Sequence, residues 1–111
     1  LYDDYPLIVA MQLEDLGFCE KGKIKEFINK TDFTITGDLP LNTNGGQLSA
    51  GQAGAAGGYQ NVTEALRQAI KQPLGHQIPN SSIGLISGFG MVNYDRGVCT
   101  GAVVIEADNI R

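Results

Sequence analysis

Fourteen positions from Gly45 to Gly58 hold six glycines and four alanines, and side chains that small cannot build a core of their own. Such a stretch allows one backbone to approach another closely, so larger residues elsewhere have to enclose it. From about Ala53 the pattern turns helical, with Val62, Ala65, Leu66, Ala69 and Ile70 marking one face by their spacing of three and four. Gln72, Pro73 and Gly75 stop that helix. Gly46-Gln47-Leu48-Ser49-Ala50-Gly51 has the outer spacing of a phosphate-binding loop, but Gln52 and Ala53 follow where Lys and then Ser or Thr would hold phosphate and magnesium. No GxGxxG leads from strand into helix either, which removes the dinucleotide fingerprint. What remains is a glycine turn feeding a helix. Its first N–H groups either bind an anion or polarise a carbonyl oxygen, or the helix simply packs tightly under a sheet.

At 111 residues the chain has room for one small domain, residues 1–111, with a single core. It begins at Leu1-Tyr2-Asp3-Asp4-Tyr5-Pro6 with no methionine and no linker, as expected of a piece of something longer. Asp4 suits a cap and Pro6 a first helical turn, and Leu7 to Leu16 is apolar enough for a largely buried helix that Gly17 ends. Ile24, Phe27 and Ile28 predict a short amphipathic helix closing before Thr31. Thr31 to Thr36 alternates weakly as a strand. Ile83 to Met91 and Val98 to Ala107 favour strands joined by the polar Asn93-Tyr94-Asp95-Arg96-Gly97, which together predict an antiparallel hairpin. Val103, Val104 and Ile105 are too continuously apolar for an exposed edge.

The formal net charge of −4 makes nucleic acid an unexpected partner. The longest apolar run, Leu7 to Met11, is far short of the roughly 20 residues of a membrane-spanning helix, and no secretory signal is present, so the expected compartment is the cytoplasm. Cys19 and Cys99 stand far apart with no CxxC and no histidine pair. They are expected as two buried thiols, without metal or disulfide. His76, alone between Gly75 and Gln77, is expected as an exposed or structural loop residue.

Three blocks in order carry a resemblance. Asn42-Thr43-Asn44-Gly45-Gly46-Gln47-Leu48-Ser49-Ala50-Gly51-Gln52-Ala53-Gly54-Ala55-Ala56-Gly57 resembles the thiolase motif in which an asparagine, a glycine pair and then Gly-His-Pro lead into a glycine-bearing helix. Tyr2-Asp3-Asp4-Tyr5 stands where that family has Asn-Glu-Ala-Phe, or His-Asp-Cys-Phe in its sterol-carrier-type members. Ser87-Gly88-Phe89-Gly90-Met91 is similar to the glycine-rich strand segment after the family's second catalytic cysteine. The resemblance implies the α/β thiolase architecture, here the later part of its second repeat, with helices packed on a mixed sheet ending in an antiparallel hairpin.

The departures bear on chemistry. In thiolases the Gly-His histidine activates a cysteine nucleophile and contacts the thioester oxygen, which needs a group able to accept a proton. Gln52 stands there instead, and a carboxamide donates hydrogen bonds without useful basicity near neutral pH. Ile86 occupies the acid/base cysteine's place and Tyr2 that of the loop asparagine, while the nucleophilic cysteine belongs to an N-terminal half this chain lacks. Together with Leu13-Glu14-Asp15-Leu16-Gly17-Phe18-Cys19 and Gly90-Met91-Val92-Asn93-Tyr94-Asp95-Arg96-Gly97, these residues resemble the thiolase-like lipid-transfer proteins. Some of these are retro-aldolases on β-hydroxyacyl-CoA thioesters of steroid side chains, paired with a small OB-fold partner.

The resemblance therefore implies an acyl-CoA substrate with coenzyme A as part of it and no separate cofactor. It also implies a missing N-terminal half, an OB-fold partner and an oligomer. Retro-aldol cleavage requires a base for the β-hydroxyl and donors for the thioester oxygen. Tyr94, with Asp95 and Arg96 beside it, is the candidate base; its alternative is an ordinary hairpin tip. Gln52 and Asn44 are candidate amide donors, or else hydrogen-bond within the glycine turn. Tyr2 and Tyr5 offer pocket hydroxyls or rings packed at a helix entry, and Gly90 completes the substrate-facing set. A non-catalytic module that binds acyl-CoA or lipid, or supports an assembly, is the second expectation.

Overall fold

The structure is a computed structural model in which residues 1–93 and 96–108 are described. In chain order it has α1 (Pro6–Asp15), α2 (Ile24–Lys30), α3 (Gly46–Ala50), a 3-10 turn (Gly54–Ala56), α4 (Tyr59–Ala69), β1 (Ile83–Asn93) and β2 (Arg96–Glu106). The α/β class and the terminal antiparallel hairpin are as the sequence predicts. Among the described residues the sheet is two-stranded, with Ile83 opposite Glu106 and Asn93 opposite Arg96.

Pro6 opens α1, as its locked φ and missing N–H favour, and Gly17 leaves it at φ +84°. The residue at the N-cap is Tyr5, extended at φ −135°, and no side chain caps the helix, so the cap expected of Asp4 is not made. Nor is α1 largely buried: Gln12 and Leu13 face inward, whereas Leu7 and Met11 are 69% and 46% exposed. These two lie one turn apart on the outer face, which no described element covers. Thr31 to Thr36 forms no strand. Asp32 accepts the Thr34 N–H at 2.9 Å, and its own N–H reaches Asp38 Oδ2 at 3.3 Å. A local turn held by side-chain oxygens thus replaces the ladder, and Phe33 packs edge-on to Phe27 of α2, 6.0 Å between centroids.

The two faces of β1 are covered by different elements. Gly84 faces α4, where an added Cβ would stand 3.7 Å from the Ala65 side chain. On the opposite face the buried Ser87 hydroxyl donates to Gln12 Oε1 of α1 at 2.6 Å. The inward stripe of α4 is not the apolar one that spacing predicts, because Asn61 and Gln68 are buried while Leu66 and Ile70 are exposed. Gln68 turns inward because its carboxamide organises the following loop. Its Nε2 donates to the His76 carbonyl at 2.9 Å and its Oε1 accepts the Ile78 N–H at 2.9 Å.

β2 is uncovered. Val103 and Val104 point to opposite faces and are 54% and 65% exposed, against the expectation from their continuous apolar run. Cys99 on the same strand is exposed rather than buried, and Cys19 is half-buried. Apolar strand faces and Leu7 and Met11 left in water favour association. The 111-residue chain expressed alone is therefore expected to elute as a self-associated species. Size exclusion with light scattering checks this, and a compact monomer would contradict it.

Candidate functional site

The glycine pair begins the site. Gly45 and Gly46 both have left-handed φ, +94° and +63°, which other residues adopt only at a cost. They reverse the chain so that α3 starts beside the N-terminal segment. Asp3, buried at 7% exposure, meets that start: Oδ1 accepts the Gln47 N–H at 2.8 Å and Oδ2 the Leu48 N–H at 3.5 Å. The Gly46 N–H goes to Asn44 Oδ1 at 2.9 Å. The first N–H groups of α3, a short helix within the stretch read from sequence as a glycine turn, are thus engaged by the chain's own side chains, and the helix expected from about Ala53 is instead a 3-10 turn at Gly54–Ala56 followed by α4 from Tyr59. Asp3 is the residue that composition and motif did not single out.

Gln52 follows α3 in a loop with left-handed glycines on both sides, Gly51 at φ +104° and Gly54 at φ +50°. Its Nε2 donates to the Tyr2 hydroxyl at 3.3 Å, across 50 positions of sequence. The Tyr2 ring lies against Phe89 of β1, 6.3 Å between centroids and tilted by 31°. The three blocks read as motifs therefore converge: Tyr2 from the N-terminal segment, Gln52 from the glycine loop and Phe89 from the strand. Tyr2 is held from behind, since Gln12 Nε2 donates to its carbonyl at 2.6 Å while Gln12 Oε1 takes the Ser87 hydroxyl.

The other predicted residues are placed differently. Asn44 has both ends of its amide engaged, Oδ1 with Gly46 and Nδ2 with the Gln60 carbonyl at 3.4 Å. Tyr5 is 61% exposed at the entry to α1. Gly90 follows Phe89 but pairs with Cys99 across the ladder. Ile86, which the resemblance sets in the place of an acid/base cysteine, is buried and brings no titratable group. Tyr94 and Asp95 lie outside the described residues.

A half-open cavity of about 420 Å³ lies elsewhere, between α4, the 39–44 segment and the start of β1. Leu13, Phe18, Leu41, Ile83 and Leu85 give it apolar walls; Asn44, Glu64 and Gln68 supply polar ones. Of the predicted site residues Asn44 lines it, and Tyr2 and Gln52 do not. The chemical candidate remains the Tyr2–Gln52 pair, because there a hydroxyl and an amide are mutually aligned. Among the described residues no cluster of His, Cys, Asp or Glu could hold a metal ion, and no helix is long and apolar enough to cross a membrane.

Burial raises the Tyr2 phenol above the ordinary tyrosine value and nearby Asp4 adds to the rise, while the bond from Gln52 works the other way. Tyr2 is therefore a neutral O–H donor throughout the physiological range. A folded-state value above the unfolded one contributes stability below the unfolded tyrosine range, and that stability is lost as pH rises through the folded value. Alkaline unfolding is accordingly expected to be steeper in the wild type than in Tyr2→Phe above pH about 10. Identical alkaline limbs in the two proteins would contradict the shift.

Residues 1–100 match the thiolase C-terminal domain-like family. Similar curated proteins include a steroid side-chain-cleaving aldolase of Thermomonospora curvata, 39% identical over 74 residues, or 66% of this chain and 19% of that protein. A 17-hydroxy-3-oxo-4-pregnene-20-carboxyl-CoA lyase of Mycobacterium tuberculosis is 44% identical over 68 residues, 61% of this chain and 17% of the lyase. An acetyl-CoA acetyltransferase of Methanothermobacter thermautotrophicus is 28% identical over 90 residues, 81% of this chain and 24% of its own. No solved structure gives a significant match. The chain spans about a fifth of the length of the first two relatives. With residues 1–100 of its 111 matched, this chain belongs to the thiolase C-terminal domain-like family.

Proposed function

We propose that this chain supplies one side of the active site of a thiolase-superfamily protein that acts on β-hydroxyacyl-CoA thioesters by aldol-type carbon–carbon cleavage rather than by thiolysis. The observation that carries the reading is the hydrogen bond from Gln52 to the Tyr2 hydroxyl, at the position where thiolases have a histidine. An amide oriented on a phenol provides no base to activate a thiol. It does polarise that phenol: with its oxygen accepting from Gln52, Tyr2 directs its own O–H at an acceptor, and the acceptor proposed is the thioester oxygen.

In the reaction a base takes the proton of the β-hydroxyl, whose C–O becomes a carbonyl. The Cα–Cβ bond breaks, and its electron pair passes into the thioester as an enolate that is protonated at Cα. The Tyr2 and Gln52 pair stabilises the oxygen as charge grows there. Tyr94 remains the proposed base, and Asn44, Tyr5 and Gly90 the proposed substrate-facing positions. Similarity to a side-chain-cleaving aldolase and a CoA lyase supports the reaction class and, within it, steroid side-chain thioesters. An OB-fold partner and a cytoplasmic site of action belong to the same proposal.

The test supplies the full-length protein and its partner with β-hydroxyacyl-CoA, and separately with β-ketoacyl-CoA plus free coenzyme A. Release of a shorter acyl-CoA from the first alone is expected; turnover of the second alone would overturn the reading. An unchanged rate in Tyr94→Phe would remove Tyr94 as the base. The second reading, a non-catalytic module that binds acyl-CoA or lipid, is favoured by the apolar 420 Å³ cavity. It predicts saturable binding with neither turnover.

A further inference from the structure

Asp3 lies one residue from Tyr2, yet its carboxylate is bonded to the start of the helix that leads to Gln52. The fit is close. A Cβ built on Gly46 would stand 2.0 Å from Asp3 Oδ2 and 2.6 Å from Cγ, well inside contact distance, so the glycine pair leaves a slot that only this carboxylate fills. The slot is buried, and bonds from backbone N–H groups to a charged acceptor are stronger and more directional than those between neutral groups. The neighbouring residue is tied separately: Asn42 Nδ2 donates to the Leu1 carbonyl at 2.8 Å and Gln12 Nε2 to the Tyr2 carbonyl. Tyr2 is therefore fixed on both sides. The Gln52 loop has glycine freedom at Gly51 and Gly54, with nothing within 4 Å of either Cβ position; it continues directly from α3 and is tied to α4 by the bond from Gln60 Nε2 to the Gly51 carbonyl.

We infer that Asp3 is a positioning residue, whose carboxylate in the Gly46 slot holds α3 against the N-terminal segment and so sets the distance between the Tyr2 hydroxyl and the Gln52 amide. It is not a base, because its two oxygens face the backbone N–H groups of Gln47 and Leu48. The inference rests on the proposed aldol reading for its kinetic consequence, though not for its geometry. A clamp of this kind acts on turnover rather than on ground-state affinity: a displacement of about 1 Å between donors suffices for a rate loss on the order of 10²-fold.

The experiment compares full-length wild type with Asp3→Asn, which keeps the shape and one acceptor, and with Asp3→Ser, which keeps a shorter one. Steady-state kinetics on β-hydroxyacyl-CoA are measured well below the melting temperature. Fluorine NMR of 3-fluorotyrosine-labelled protein is recorded alongside, with the Tyr2 signal assigned by its loss in Tyr2→Phe. The expected result in each folded variant is kcat lower by about 10- to 100-fold, KM within about threefold, and a displaced Tyr2 signal. A purely structural role would lower the melting temperature and leave the folded protein's kcat and Tyr2 signal unchanged, and that result overturns the inference. Should the wild type cleave no β-hydroxyacyl-CoA, the functional reading fails and the fluorine signal alone decides. A Tyr2 signal displaced in Asp3→Asn then sustains the clamp, and an unmoved one rejects it.

Discussion

Replacing Tyr2 by Phe in the full-length protein is expected to lower kcat for β-hydroxyacyl-CoA cleavage by about 10²- to 10³-fold, the usual loss when one preorganised oxyanion donor is removed. The ring stays, and with it the stacking on Phe89, so KM should move little. That split is the informative part of the measurement. A hydroxyl that contacts substrate and transition state equally would raise KM and spare kcat, whereas one whose bond strengthens as enolate charge develops lowers kcat. Gln52→Ala should reduce kcat less, because the amide acts by polarising the phenol, and combining the two changes should add little to Tyr2→Phe alone. Independent, multiplicative losses would show that the 3.3 Å bond between them has no part in catalysis.

Gly46→Ala is expected to have the largest effect on stability. The methyl group would meet a carboxylate oxygen at 2.0 Å, so Asp3 would have to leave its slot and abandon two backbone N–H groups. Hydrogen bonds to a charged group contribute about 1.5–3 kcal/mol each, and a left-handed φ adds about 1–2 kcal/mol for a residue with a Cβ. A loss of about 4 kcal/mol or more follows, a large share of the roughly 5–15 kcal/mol by which domains are stable. Gly58→Ala is the control: Gly58 has ordinary right-handed helical dihedrals and open space around its Cβ position, so a change below about 1 kcal/mol is expected. Urea unfolding of both variants beside wild type makes the comparison. Equal midpoints for the two glycine substitutions would mean that the slot is not as tight as its geometry.

Much of the local structure was legible in the sequence because its causes are local. Pro6 and Gly17 bound α1, and two β-rich runs around a polar turn make the hairpin; each follows from the dihedral preference of the residues on the spot, whereas α3 lies inside the glycine stretch that reads as a turn. The chemistry of Gln52 is equally a sequence matter, since an amide has no basicity wherever the fold carries it. Where reading by spacing failed, side-chain hydrogen bonds had overruled it: Asp32 closed a turn where alternation suggested a strand, and Gln68 took the inward side of α4 from its apolar neighbours to hold the 76–78 backbone. Tertiary structure alone decided that Asp3 meets the start of α3, that Gln12 meets Ser87 and that Gln52 meets Tyr2, over separations of 44, 75 and 50 residues. No periodicity encodes such pairs, because each bond depends on where two distant backbones come to rest, and for the two buried ones, at Asp3 and at Ser87, any arrangement that leaves a partner unmatched is costly.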